Sequence, residues 1–166
     1  MRQLGVWQCA GHAHGEGPER LHARAGSSRP AATRRVFVVD DDPAIRMVCR
    51  FNLVASGIEV VEAANGEEAL ELLRREQVDL VLLDAMMPVV DGWQVARDLG
   101  GSVPIVFLTA RAEDADREAA VALGAVGYIA KPFDPVALAA QLETILERLE
   151  RGEREQLQHE MLHGTT

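Results

Sequence analysis

Regular patterning begins at Val36. VFVV (36–39) is an unbroken apolar, β-branched run that ends in an acid, and it predicts a strand buried on both faces. DLVLLD (79–84) and PIVFLT (104–109) have the same character, and IEVVEA (58–63) and VGYIA (126–130) predict two further strands. Between them lie segments with helical spacing. DPAIRMVCRFNLVAS (42–56) has Pro43 in its first turn and Gly57 just past its end. NGEEALELLRREQ (65–77) starts at Asn-Gly, GWQVARDLG (92–100) is short, and EDADREAAVALG (113–124) closes at Gly124. DPVALAAQLETILERLER (134–151) sets Leu138, Leu142, Ile145 and Leu149 on one stripe.

Strands alternating with helices imply right-handed crossovers and a parallel sheet covered on both faces. Five such units predict an α/β fold: a doubly wound, five-stranded parallel sheet of order 2-1-3-4-5 in a three-layer sandwich. The domain spans 35–151. Residues 1–34 are rich in Gly, Ala, Arg and His without a sustained apolar period, and predict a disordered leader. Cys9, His12, His14 and His22 fall there, but not at the spacings of known metal sites. The polar stretch 152–166 predicts a flexible, fraying tail.

Charge narrows the partners. The formal net charge is -9, which argues against nonspecific binding to a phosphate backbone, and with no effector domain after Arg151 no DNA partner is expected. No run approaches the roughly 20 apolar residues of a membrane span, so no membrane partner is expected. There is no apolar signal core at the start, and two cysteines, Cys9 and Cys49, make no disulfide framework. The expected location is cytoplasmic, with Cys49 a small buried hydrophobe.

In sheets of this type, sites form beyond the carboxyl ends of the strands, where the strand order reverses. Strand one ends in Asp40, Asp41 and Asp42, strand three in Asp84, strand four in Thr109 and strand five in Lys131. Lys131 is the single lysine in a chain with 17 Lys and Arg residues. Two carboxylates about 4 Å apart repel by about 4 kcal/mol at an effective dielectric of 20. Several acids converging there call for a counter-charge, and oxygen donors suit a hard divalent cation such as Mg²⁺. Lys131 adds a compact positive charge, which a planar guanidinium would not replace well.

These residues resemble a known family. VFVVDDDP, LVLLDAMMPVVDGWQV, PIVFLTA and GYIAKPFD look like the four motifs of the response-regulator receiver domains of two-component signalling, in the right order and spacing from about Arg35 to Glu150. The resemblance implies a flavodoxin-like fold. It implies that Asp84 is the phosphoacceptor, and that Asp40, Asp41, Asp84 and the carbonyl of Met86 hold Mg²⁺, with Asp40 acting through water. It further implies that Thr109 and Tyr128 form the switch, that Lys131 pairs with the phosphoryl group, and that the Lys131-Pro132 peptide is cis.

The function so implied is that of a stand-alone receiver. It would take a phosphoryl group from a sensor histidine kinase or phosphotransfer protein and present a changed 113–151 surface to a downstream protein, or to a second copy as a homodimer. It would assist its own phosphorylation without being a metabolic enzyme. The alternatives are an interaction module that works without phosphorylation, a receiver fragment of a larger regulator, and a Mg²⁺-dependent phosphohydrolase. The last would want an acid where Met86 stands. Met86 and Arg111 occupy positions that vary in the family and affect dephosphorylation; Met86 cannot orient a water through its side chain, which implies a long-lived phosphoryl state. On the first helix, Asn52 falls on the stripe of Ile45, Val48 and Cys49, while Met47, Phe51 and Val54 form a second apolar face suited to a kinase helix bundle. Trp93 is expected to pack rather than to contact a ligand.

Overall fold

The computed structural model describes residues 33–110 and 114–164. Among these, the elements run β1 Arg35–Val39, α1 Pro43–Ala55, β2 Glu59–Ala63, α2 Gly66–Leu73, β3 Leu80–Asp84, α3 Gly92–Leu99, β4 Ile105–Thr109, α4 Asp114–Ala122, β5 Ala125–Ala130, α5 Pro135–Glu150 and α6 Arg154–His163. The five strands form one sheet of order β2-β1-β3-β4-β5, with every neighbouring pair parallel.

Alternation along each strand divides the core into two layers. Val36 and Val38 of β1, Leu80 and Leu82 of β3, and Val106 and Leu108 of β4 face Cys49 and Leu53 of α1 and Leu138, Leu142 and Leu146 of α5. Phe37, Val39, Val81, Leu83, Ile105 and Phe107 point the other way, toward Ala69 of α2, Val95 and Ala96 of α3, and Ala120 of α4. The apolar runs arise because each strand is buried on both faces.

The starts of α1, α2, α3 and α5 are fixed by side-chain caps. Asp42, Asn65, Asp91 and Asp134 each accept a bond from a backbone N–H of the first turn that has no partner within its own helix. Cap residues therefore close the strand-to-helix loops at the carboxyl edge of the sheet, where the chemistry is concentrated. Gly92 allows the closest of these approaches, because a Cβ there would run into the carbonyl of Asp84.

Three expectations need correction. α2 ends at Leu73, not near Gln77: the N–H groups of Arg75 and Glu76 both turn back to the carbonyl of Leu72, and the Glu76 side chain pairs with Arg35 at 2.6 Å. Arg34, assigned to the leader, is held at α5 by a two-pronged bond to Glu150, at 2.8 and 3.0 Å. The rest of the expected leader, residues 1–32 with Cys9 and the three histidines, lies outside the described residues.

The third correction is the fraying tail. Arg154–His163 is a helix, with Leu157 buried in the first core layer and Met161 packed against the second. Its two apolar anchors are too few to show as a periodic stripe. On α1, Asn52 donates to the carbonyl of Val48 at 2.9 Å, so its amide is satisfied within its own helix.

The register of α1 can be checked by substitution. Leu53→Ala, in the core, is expected to lower stability by about 2–5 kcal/mol. Phe51→Ala, two residues away and 74% exposed, is expected to stay within about 0.5 kcal/mol of the parent. Denaturant unfolding of the two variants measures both.

Candidate functional site

The parallel register brings the strand ends to one edge. β1 delivers Asp40, β3 Asp84, β4 Thr109 and β5, through Ala130, Lys131. Asp40, Asp84 and Thr109 are buried, while Asp41 is exposed. Ligand oxygens of Asp40, Asp41 and Asp84 lie within 4.8 Å of one another.

Lys131 crosses this cluster. Its Nζ donates to Asp40 Oδ2 at 2.7 Å and lies 3.3 Å from Asp84 Oδ2. Two neighbours lock its backbone: its N–H donates to the carbonyl of Thr109 at 2.8 Å, and its peptide bond to Pro132 is cis. Asp40 is held from further sides. Its Oδ1 accepts from the N–H of Asp42 at 2.9 Å, and its carbonyl accepts from the Arg46 guanidinium at 2.7 Å. Asp84 Oδ1 accepts from the N–H of Met86 at 3.2 Å.

These surroundings set the charge states. Burial pushes the Asp84 carboxyl above its ordinary value. The N–H of Met86 opposes the rise, the charge of Asp40 adds to it, and Lys131 opposes it. Burial works against the Lys131 ammonium, but the hydrogen bond and charge of Asp40, followed by the charge of Asp84, outweigh it and raise its pKa. The Cys49 thiol, buried beneath α1, is pushed up to about 12, first by burial and then by the charge of Asp40, as suits an inert core residue.

Of the sequence-derived residues, Lys131 meets Asp40 and Asp84 directly, and Asp41 brings an oxygen within 4.8 Å of those two carboxylates. Thr109 sits buried at the end of β4 beside them. Met86 reaches the site through its backbone, and its side chain is exposed. Tyr128 stands half-buried on β5 with its ring stacked on Phe107 at 5.7 Å. Arg111 lies outside the described residues.

Sequence reasoning missed two participants. Arg46 reaches back six residues to the Asp40 carbonyl, a contact that no helical or strand period signals. Phe107 reads as one more core residue, yet it stacks with Trp93 of α3 at 4.8 Å as well as with Tyr128. Trp93 is thus a packing residue, as expected.

With this geometry in view, comparison with known proteins is decisive. Residues 36–143 match the response regulator receiver domain. The chain belongs to that family. It is 41% identical over 120 residues to a probable transcriptional regulator ycf27 of Porphyridium aerugineum, covering 71% of this chain and 50% of that one. It is 39% identical over 120 residues to the alkaline phosphatase synthesis transcriptional regulatory protein PhoP of Bacillus subtilis (strain 168), covering 70% and 50% respectively. Among solved structures, the Vibrio cholerae chemotaxis protein CheY4 superposes with a TM-score of 0.61 at 32% identity, over 72% of this chain and 98% of that one. A CheY-like receiver protein of Methanospirillum hungatei superposes at 0.67 with 27% identity, over 73% and 99%.

The receiver thus has the expected flavodoxin-like fold and sheet order. It is a module of signalling proteins, not of a metabolic enzyme family. Among the described residues, no helix is long and apolar enough to cross a membrane. One expectation is overturned. The absence of a DNA partner was expected from acidic charge and from the lack of an effector domain after Arg151, but the relatives named above are transcriptional regulators, and this receiver spans about half their length. The net charge of this chain says nothing about the segments by which its longer relatives exceed it.

Because the Asp84 pKa is raised in the fold, its neutral form suits the native site better than its charged form. Its favourable contribution is full below the ordinary value of 3.8 and is lost as pH rises through the folded value. Without divalent metal, Asp84→Asn is therefore expected to be more stable than the parent at neutral pH. The difference should shrink toward zero as pH falls below 3.8, which paired denaturant titrations across pH would reveal.

Proposed function

We propose that the chain accepts a phosphoryl group on Asp84 from a histidine kinase or phosphotransfer protein in the cytoplasm, and passes the event on through the face formed by α4, β5 and α5. The observation that carries this reading is the position of Lys131 Nζ, within reach of Asp40 and Asp84 together, beside a three-carboxylate cluster. An ammonium there can hold an oxygen of an incoming phosphoryl group without leaving its place.

The donor set fits a hard divalent cation, since three carboxylates offer only oxygens and more negative charge than one lysine balances. Asp41, Asp84 and the carbonyl of Met86 would hold Mg²⁺ directly, and Asp40 would do so through water. When bound, Mg²⁺ neutralises charge on the phosphoryl oxygens. An Asp84 oxygen attacks phosphorus in line with the leaving group. The new bond is O–P, and the bond broken is P–N of a phosphohistidine or P–O of a small phosphodonor, whose leaving atom takes the electron pair. Lys131 stabilises the charge that collects on the transferred oxygens. Hydrolysis later returns Asp84 to a carboxylate through attack of water on phosphorus. Met86 gives that water no side-chain hydrogen bond, so the loaded state is long-lived.

Loading adds about -1.5 to -2 of charge at the edge of the sheet. The Thr109 hydroxyl turns toward the new oxygens, and Tyr128 moves into the space vacated. On α1, Met47 (69% exposed) and Phe51 lie open beside Val54, an apolar face suited to a kinase helix bundle.

A second reading concerns what the receiver drives. Relatives named as transcriptional regulators are twice as long as the matched region, which favours a receiver that controls a DNA-binding effector.

Intact-mass spectrometry after incubation with acetyl phosphate and Mg²⁺ tests the acceptor. The parent should gain one phosphoryl group, and Asp84→Ala none. A parent that stays unmodified would instead favour the phosphorylation-independent module. Met47→Glu is expected to slow transfer from the kinase about tenfold, as loss of roughly 1.4 kcal/mol of docking energy implies. Its labelling by acetyl phosphate should be unchanged, a split that radiolabelled transfer assays measure.

A further inference from the structure

We propose that α6 is a strap docked on the α4–β5–α5 face and that loading of Asp84 releases it. This rests on the phosphoacceptor reading above. Arg154, Leu157, Gln158 and Met161 occur at helical spacing i, i+3, i+4 and i+7, which puts all four on one side of α6. That side touches each element of the face. Gln158 Nε2 donates to the carbonyls of Val121 in α4, at 3.5 Å, and of Ala125 in β5, at 3.2 Å. Arg154 donates to the carbonyls of Gly101, at 2.9 Å, and Gly124, at 3.2 Å. Arg148 of α5 grips Glu160 with two bonds, at 2.6 and 2.7 Å.

The dock is shaped for this helix. Gly124 has φ +95, and a Cβ there would come within 2.8 Å of the Arg154 guanidinium and 2.7 Å of the Gly101 Cα. β5 is the edge strand of the sheet, so α6 covers backbone that a partner would otherwise reach.

The same helix is poorly held by itself. It has 10 residues and no side-chain bond at its N-terminal cap. An isolated helix shorter than about 12–15 residues is marginal in water, so α6 persists only while docked. Its attachment relies on two apolar anchors and on polar bonds to carbonyls of α4 and β5, and such segments belong to the low-stability end of a structure. Met161 packs against the core layer that also receives Tyr128. Movement of Tyr128 and α4 on loading would disturb that packing and the carbonyl positions that Gln158 requires. Linkage then works in both directions: loading loosens α6, and a loosened α6 favours loading.

Hydrogen exchange on the full chain, with and without acetyl phosphate and Mg²⁺, tests the strap while intact mass monitors the adduct. The amides of 154–163 should exchange about tenfold faster in the phosphorylated protein, a typical coupling between linked sites. An adduct on Asp84 with unchanged exchange in α6 would overturn the strap and leave the phosphoacceptor reading standing. Failure of the parent to form any adduct would remove both. In a second arm, the Arg154→Ala/Gln158→Ala pair keeps Leu157 in the core and cuts the carbonyl anchors. Glu160→Gln cuts only the half-buried grip of Arg148. Both should deprotect α6 without phosphodonor and raise the extent of Asp84 labelling at limiting acetyl phosphate about fivefold. Labelling only to the parent extent by variants with a deprotected α6 would sink the coupling, and protection at the parent level would sink the anchoring.

Discussion

The ammonium of Lys131 lies between a fully buried carboxylate, Asp40, and a nearly buried one, Asp84, with Asp41 at the rim. Two acids on adjacent parallel strands would repel strongly at low dielectric, and neither has bulk water to disperse its charge. A single compact cation bonded to both is what lets β1 and β3 end side by side. Much else at this edge follows from holding that cation in place. Lys131 N–H is tied to the end of β4, Asp40 is braced by Asp42 N–H and Arg46, and Gly92 admits the start of α3 against Asp84.

The balance at this edge is incomplete. One ammonium faces three carboxylates, and burial, with the charge of Asp40 adding to it, raises the pKa of Asp84. An excess of carboxylate over ammonium suits a hard cation, and under the function proposed above Lys131 and that cation would share the oxygens of a phosphoryl group. Stability given up at Asp84 is thus tied to the chemistry of Asp84, a trade often found where sites are built on a well-packed scaffold.

The side chains also connect the site to a distant face. Trp93, Phe107 and Tyr128 form a run of stacked rings from α3 across β4 to β5, within the core layer on which Met161 of α6 rests. Thr109 occupies the end of the same strand as Phe107. These close-packed groups are the physical route by which the proposed movement of the Thr109 hydroxyl would reach the packing of α6.

Much of this was legible in the residue order. Apolar runs of strand length separated by helical periods dictate a parallel sheet buried on both faces, because only that arrangement hides such runs from water. The placing of acids, a hydroxyl and one lysine just after those runs dictates that they share an edge. Contacts formed across the chain were decided only in three dimensions. The reach of Arg46 to a backbone carbonyl, the pairing of Arg35 with Glu76, and the docking of Arg34 on Glu150 depend on where distant segments come to lie. The final helix is the clearest case. Its sequence is polar and nearly aperiodic, and it becomes ordered because carbonyls at Gly101, Val121, Gly124 and Ala125 and a guanidinium on α5 converge where its few anchors can meet them. Local patterns record what a segment must hide from water, and they are silent about which backbone groups a folded neighbour will leave open for it.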